Sequence, residues 1–230
     1  MVKEFVKKIA AQAGLDLRRY DARVDVYKSL HRKYQAFTMI PEDAFVCNLE
    51  LCERFQDLTG AYVECGVWRG GMSAAIAEVV GAKEFHLFDS FEGLPPAKEI
   101  DGKEALHWQQ DVNSPHYYNN CAAEESAVVE AMTLARHTRY RTYKGWFDQT
   151  LPQYAGGPIA LLRLDGDWYD SIMVSLQHLF PQVVRGGVVI LDDYYTWDGC
   201  AKAVHDYLSQ TQHPSRVYQW KNQVAYLVKK

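Results

Sequence analysis

Apolar positions along the chain follow two rhythms. Near the start, Phe5, Val6, Ile9, Ala10 and Ala13 recur at helical spacing, and Val24, Val26, Tyr27, Leu30 and Tyr34 do so more loosely. That spacing predicts helices over residues 3–13 and about 21–36. Pro41 followed by Glu42 and Asp43 marks another helix start, because a first-turn proline loses no hydrogen bond and acids there oppose the helix dipole. This helix is expected to run to about Leu58, before Gly60.

From Ala61 the rhythm changes. AYVECGV, EFHLFDSF and RYRTYKG read as strands, and the strongly apolar ALLRLDGD and GGVVILDDY as buried ones. Between them SAAIAEVVG, residues 123–136 and SIMVSLQHLFPQVV read as helices, and CAKAVHDYLSQ follows as another. RVYQW and QVAYLVKK close the chain as a hairpin that adds an antiparallel strand. Strand–helix alternation of this kind predicts an α/β fold, a doubly wound and mostly parallel sheet with helices on both faces. The chain divides into a helical N-terminal extension, 1–36, and a main domain, 37–230. Residues 95–122 are polar and show no clear period, so they read as a long loop of the kind that usually carries function.

Composition narrows the class. The chain has 230 residues, 48% hydrophobic and 23% charged, with a net charge of −4. That length buries enough surface to need no disulfide or structural metal. The acidic balance argues against a nucleic-acid or anionic-membrane partner. The five cysteines, Cys47, Cys52, Cys65, Cys121 and Cys200, form no CxxC pair and read as free thiols in a reducing compartment. The N-terminus lacks the apolar core of a signal peptide and no apolar run reaches 18 residues, so the expectation is a cytoplasmic protein.

Chemistry concentrates at predicted strand ends. The first strand closes in Glu64-Cys65-Gly66-Val67-Trp68-Arg69-Gly70-Gly71. Glycines there let the backbone turn tightly against a ligand, and the following helix offers unpaired N–H groups, with the Ser73 hydroxyl beside them. A dinucleotide GxGxxG would need glycine where Trp68 stands, and no Gly-Lys-Ser/Thr exists for a P-loop. Asp89 ends the second strand, where a carboxylate accepts hydrogen bonds from a ribose diol; by itself it does not separate a nicotinamide cofactor from S-adenosylmethionine. Asp165 and Asp167 follow one apolar strand, and Asp192 and Asp193 follow another. One helix separates those strands, so a crossover makes them neighbours. Four carboxylates so placed repel one another unless a divalent cation joins them, and oxygen donors suit Mg²⁺, Mn²⁺ or Ca²⁺. The same acids also describe a haloacid-dehalogenase-like phosphohydrolase, with the Asp-x-Asp as nucleophile. The glycine-turn unit preceding them disfavours that order.

VECGVWRGG, LFDSFEGLP, KGWFDQTLP, LLRLDGDWYDS and GGVVILDDY, in this order, resemble the macrocin O-methyltransferase family (TylF type), over about residues 36–207. The resemblance implies a Rossmann-like class I fold and Mg²⁺-dependent methylation of sugar hydroxyls of natural products, with S-adenosylmethionine as methyl donor. It implies metal ligation by Asp165, Asp192 and Asp193, with Asp167 as general base. It assigns Glu64, Gly66, Arg69 and Gly70 to the cofactor turn and Asp89 to the ribose, with Ser73 and Ser90 beside them as further cofactor candidates. Thr38 and Met39 fall at the methionine end, and Gly145, Trp146 and Phe147 beside the adenine. Catechol-type relatives carry a lysine three residues after the first metal aspartate; Trp168 stands there, which leaves the base role to Asp167. The match is poor before Phe37 and in 95–122, the parts that shape the acceptor pocket.

An alcohol is a poor nucleophile at neutral pH, so two vicinal oxygens of a sugar or other diol would chelate the cation while Asp167 takes the proton. Tyr194, Tyr195, Trp197, His107 and Trp108 are candidates for the acceptor wall. The expected partners are a small-molecule acceptor and a second copy of the chain, as a homodimer or higher homo-oligomer. A non-catalytic S-adenosylmethionine-binding protein is the remaining alternative.

Overall fold

The computed structural model describes residues 22–230. The helix expected over 3–13 lies outside them. The second expected helix is α1 (Ala22–Tyr34), followed by α2 (Glu42–Arg54). The sheet begins with β1 (Ala61–Cys65), and α3 (Gly71–Val80) leads to β2 (Phe85–Asp89). Next come α4 (Lys103–Gln110), α5 (Glu125–Leu134), β3 (Tyr140–Lys144) and the short α6 (Phe147–Thr150). Then β4 (Ile159–Leu164), α7 (Tyr169–Leu179), β5 (Val183–Leu191), α8 (Asp198–Gln210) and the hairpin β6 (Val217–Trp220) and β7 (Val224–Val228) complete the chain.

The strands form one seven-stranded sheet in the order β3-β2-β1-β4-β5-β7-β6. The first five in that order run parallel, and β7 joins β5 antiparallel, with β6 paired to it as the hairpin requires. Strands β1 and β4 are buried along their whole length, as expected of a sheet covered on both faces. The strand order reverses between β1 and β4, so the ligand crevice of an open α/β sheet falls above their carboxyl ends.

Alternate side chains of each strand feed two cores. Tyr62, Leu161 and Ile190 pack with Phe45, Leu49 and Ile76 under α1, α2 and α3. Val63, Cys65, Leu162, Leu164 and Leu191 pack with Ile172, Leu176 and Val204 under α7 and α8. Helix α1 shares the first core through Tyr27, Leu30 and Tyr34, and the Tyr27 hydroxyl donates to Glu53 at 2.6 Å. Truncating a buried side chain such as Leu49 or Ile76 to alanine costs about 2–5 kcal/mol through lost burial and the cavity left behind.

Two helix ends and the long polar segment differ from the sequence reading. The helix expected to reach Leu58 ends at Arg54, and turns carry the chain to Gly60. The helix expected over SIMVSLQHLFPQVV stops at Leu179; Phe180–Gln182 make a 3-10 turn around Pro181, and Val183 already belongs to β5. The long polar segment contains α4, an eight-residue helix with Ala105 as its one wholly buried residue, too narrow a stripe to register as a period. Among the described residues no helix is long and apolar enough to cross a membrane.

Candidate active site

The parallel ladder does not stop where the strands stop. Gly66 N–H donates to Phe88 O at 2.8 Å, Asp165 N–H to Cys65 O at 2.9 Å and Asp192 N–H to Leu164 O at 3.0 Å. Gly145 N–H donates to Asp89 O at 2.9 Å. The residues just beyond β1, β3, β4 and β5 are thereby fixed in line along one edge. Gly66 adopts φ +88°, and a Cβ there would run into the Asp165 carbonyl, so both the turn and the close approach of the two chain segments require glycine.

A cavity of about 1060 Å³ opens over this edge. Sites for one small ligand fill roughly 300–1000 Å³, so the space admits a cofactor together with an acceptor. Gly66, Asp89, Ser90, Met39, Trp146 and Phe147 contribute to its wall, as do Asp165, Asp167, Asp192 and Asp193. Of the other residues assigned to the cofactor, Thr38, Glu64, Arg69, Gly70, Ser73 and Gly145 are not part of that wall. Arg69 instead lies over the Trp68 ring and donates to Ala36 O at 3.3 Å. Gly70 is the left-handed residue, φ +81°, that precedes α3, and the Thr38 hydroxyl accepts from Ile40 N–H.

Asp89 accepts backbone N–H bonds from Trp68 at 2.8 Å and Phe91 at 2.7 Å. Burial nevertheless pushes its carboxyl up to about 6. Ser90 donates to Gly93 O at 2.9 Å, which shapes the turn after β2.

Asp165, Asp167 and Asp193 each offer a carboxylate oxygen within 4.8 Å of the others. Burial is the largest cause that drives all three upward, Asp167 to about 7. Asp193 accepts from Asp167 N–H at 3.0 Å. Asp167 is held in the left-handed region, φ +56°, a conformation that costs a non-glycine residue about 1–3 kcal/mol and concentrates at functional sites. Its Oδ1 accepts from Trp197 Nε1 at 2.8 Å.

Asp192 stands apart from that trio. Its Oδ1 lies 2.5 Å from Nη2 of Arg163, a residue wholly buried in β4. The guanidinium also reaches Asp165 and Glu64, each at 2.7 Å, and donates to Asn48 Oδ1 at 3.2 Å. Glu64 is further bonded by the Tyr62 hydroxyl at 2.7 Å and by the Ser73 hydroxyl. Glu64 and Ser73 therefore belong to an internal network behind the acids. Sequence reasoning missed Arg163 and Asn48. The signal was available: an arginine inside an all-apolar strand needs buried counter-ions, and its parity puts it on the same face as Asp165.

The far wall is aromatic. Trp108, Tyr195 and Trp197 line the cavity, as do His116 and Tyr118, which the sequence did not single out. Trp108 stands 6.0 Å from Trp197 and 6.2 Å from Trp168 between ring centres. His107 is exposed on α4, and the Tyr194 hydroxyl is 2.7 Å from His205 Nε2; neither lines the cavity. Trp168 is 2% exposed and donates to Pro95 O at 2.9 Å, tying the β2–β3 connection to the start of α7.

A mostly parallel seven-stranded sheet with its crevice above β1 and β4 is the Rossmann-like fold of class I methyltransferases. The solved O-methyltransferase NovP shares it, with a TM-score of 0.70 and 29% identity over 84% of this chain and 82% of that one. The calicheamicin methyltransferase CalS11 shares the fold with a TM-score of 0.61 at 19% identity, over 92% of this chain and 94% of that one. The family model of macrocin O-methyltransferase (TylF) matches residues 6–229, and the chain belongs to that family. The match takes in most of the first 36 residues, beyond the stretch over which the motifs were read.

Two relatives make the kinship concrete. A tetracenomycin-C rhamnosyl 4'-O-methyltransferase of Streptomyces olivaceus is 35% identical over 70% of this chain and 63% of its own length. A demethyldecarbamoylnovobiocin O-methyltransferase of Streptomyces niveus is 34% identical over 66% of this chain and 59% of its own length. The matched part of the chain thus spans about three fifths of these relatives.

Proposed function

We propose that this protein transfers a methyl group from S-adenosylmethionine to a hydroxyl of a sugar-bearing natural product, assisted by a divalent cation. The observation that carries the reading is a single cavity walled at once by the glycine turn with Asp89, by the acid cluster, and by the aromatic residues. Family membership supports methyl transfer to oxygen. The names of the relatives, among them a mycinamicin III 3''-O-methyltransferase of Micromonospora griseorubida, support a glycosidic acceptor.

Asp89 would accept from the ribose hydroxyls, and Trp146 with Phe147 would offer aromatic faces to the adenine. Gly66 lets the backbone approach the cofactor. Methyl transfer from a sulfonium needs an in-line nucleophile and little else, so what these residues contribute is position.

The acid cluster suits a hard dication. Its donors are carboxylate oxygens whose burial penalises charge, and among the described residues Arg163 is the cation that pairs with two of them. Asp165 and Asp193 are common to the resemblance and to the geometric trio, and we assign both as ligands. For the third ligand we favour Asp192, which Arg163 holds from behind. Asp167 would be the proton acceptor: Trp197 ties it to the aromatic wall, and a base must stand beside the ligands to reach a hydroxyl there. When bound, the cation would lower the pKa of the acceptor hydroxyl.

The test is methylation of a panel of sugar-bearing natural products with labelled S-adenosylmethionine, with and without Mg²⁺, alongside calorimetry with S-adenosylhomocysteine. Turnover that needs Mg²⁺ supports the reading. Tight S-adenosylhomocysteine binding without turnover of any glycoside would favour a non-catalytic cofactor-binding protein.

A further inference from the structure

Arg163 is a cation placed behind the acids, inside the protein. Its guanidinium hydrogen-bonds one oxygen of Asp165 at 2.7 Å and stands 2.5 Å from one oxygen of Asp192 as an ion pair without hydrogen-bond geometry, an oxygen that the Asn48 amide also reaches; the other oxygen of each aspartate is left. It does so while wholly buried, so side-chain freedom and water do not weaken the hold. Arg163 is itself held. Glu64 is its register partner on β1 and binds the same Nη1 at 2.7 Å. The second oxygen of Glu64 is pinned by Tyr62 and Ser73. A chain of contacts thus runs from the first turn of α3 through Glu64 and Arg163 to two acids on the cavity wall.

We infer that Arg163, oriented by Glu64, is a positioning residue that sets the affinity of the acid cluster for a divalent cation. The inference rests on the cation reading above. A guanidinium this close competes with any dication for the same two carboxylates, yet it also fixes their direction. Glu64 decides the balance. Its charge draws on the guanidinium from the opposite side and so leaves Asp165 and Asp192 more of their own charge for a metal ion. Glu64 would then act on the metal from behind the wall, without belonging to the cofactor's contacts.

The experiment is a Mn²⁺ titration of the full chain, by calorimetry and by the spin-resonance signal of free Mn²⁺, for wild type, Glu64→Gln and Arg163→Lys. Melting temperature and S-adenosylhomocysteine affinity are measured on the same samples. Glu64→Gln is nearly isosteric and removes the balancing charge, so Mn²⁺ affinity is expected to fall about tenfold, equivalent to about 1.4 kcal/mol. Arg163→Lys keeps the charge but cannot fork between two aspartates, and a fall of at least that size is expected. S-adenosylhomocysteine affinity should stay within about twofold, since neither residue faces the cavity. A lowered melting temperature with unchanged Mn²⁺ affinity in both variants would make the network structural only and overturn the inference. An equal loss of S-adenosylhomocysteine affinity in Glu64→Gln would return that residue to the cofactor turn and overturn it as well. If the wild type binds no Mn²⁺, the cation reading itself fails and this inference falls with it. Should Arg163→Lys not fold, Glu64→Gln decides alone.

Discussion

Trp197, on the loop before α8, donates its indole N–H to Oδ1 of Asp167 at 2.8 Å. The bond fixes one oxygen of a carboxylate whose backbone is already constrained at φ +56°, so the other oxygen has a defined direction. Replacing Trp197 with Phe keeps the ring and removes the donor. Hydrogen bonds to charged groups contribute about 1.5–3 kcal/mol, so turnover should fall at least tenfold. The KM for S-adenosylmethionine should not change. Steady-state rates with each substrate varied in turn check this, and an unaltered kcat would mean that the bond has no part in the reaction.

Ligand and base should fail differently. Asp192→Ala removes a carboxylate, and raising Mg²⁺ should restore part of its turnover. Asp167→Asn keeps size and one oxygen, so Mg²⁺ dependence should change little while kcat falls by about 10²–10⁴-fold, the usual contribution of general acid–base catalysis. Initial rates across a Mg²⁺ titration separate the two. A large shift in Mg²⁺ dependence for Asp167→Asn, with normal turnover at saturation, would make Asp167 a ligand and Asp192 a holder of Arg163.

Cofactor affinity should depend on pH through Asp89. Burial raises this carboxyl from 3.8 to about 6 in the free protein. Only the ionised form accepts from both hydroxyls of a ribose. Below about pH 6 the group is protonated and binding must first release that proton, so affinity falls as pH drops; above it, affinity is level. Calorimetry of S-adenosylhomocysteine from pH 5 to 8 measures the slope, and Asp89→Ala should abolish it while weakening binding by roughly 1.5–3 kcal/mol. A flat profile in the wild type would remove Asp89 from the ribose site.

Gly66→Ala should be poorly tolerated. The residue sits at φ +88°, and the added methyl meets the Asp165 backbone. Strain of this kind costs about 1–3 kcal/mol before the clash is counted. Because the clash pushes on the strand end that carries Asp165, both the melting temperature and Mg²⁺-dependent turnover should fall. Gly157→Ala is the control: it also has a positive φ, +78°, but nothing lies near its added carbon, so it should lose stability without losing Mg²⁺-dependent turnover.

Much of this arrangement is legible in the sequence. Asp165 and Asp192 stood out because each ends an apolar run, and apolar runs of that length become adjacent parallel strands. Gly66 stood out because a glycine after a strand and before a helix has few other uses. What stayed hidden depended on three-dimensional pairing. The position of Glu64 in the turn says nothing about its register partner 99 residues away. Arg163 was passed over inside its strand. The segment after Asp89 was opaque for a different reason. Its order comes from side-chain hooks such as Trp168 to Pro95 and Asp101 to the Tyr169 N–H, and such hooks leave no period. Four successive residues, Tyr118 to Cys121, adopt left-handed backbone there, which no propensity would suggest.

The line of backbone bonds from Gly145 through Asp89, Gly66 and Asp165 to Asp192 has an evolutionary consequence. Asp89, Trp146, Phe147 and the four aspartates hang from that line or lie within two positions of it. Trp108, His116 and Tyr118 come from the β2–β3 connection, and Asn222 and Gln223 come from the β6–β7 turn. None of these five belongs to the parallel ladder. Descent can therefore lengthen, shorten or exchange those two segments and change which molecule is accepted, while the residues that carry out the transfer keep their places. The same partition tells a protein engineer where to graft: recombining the β2–β3 connection and the β6–β7 turn between members of the family should exchange acceptors, and recombining the strand ends should not.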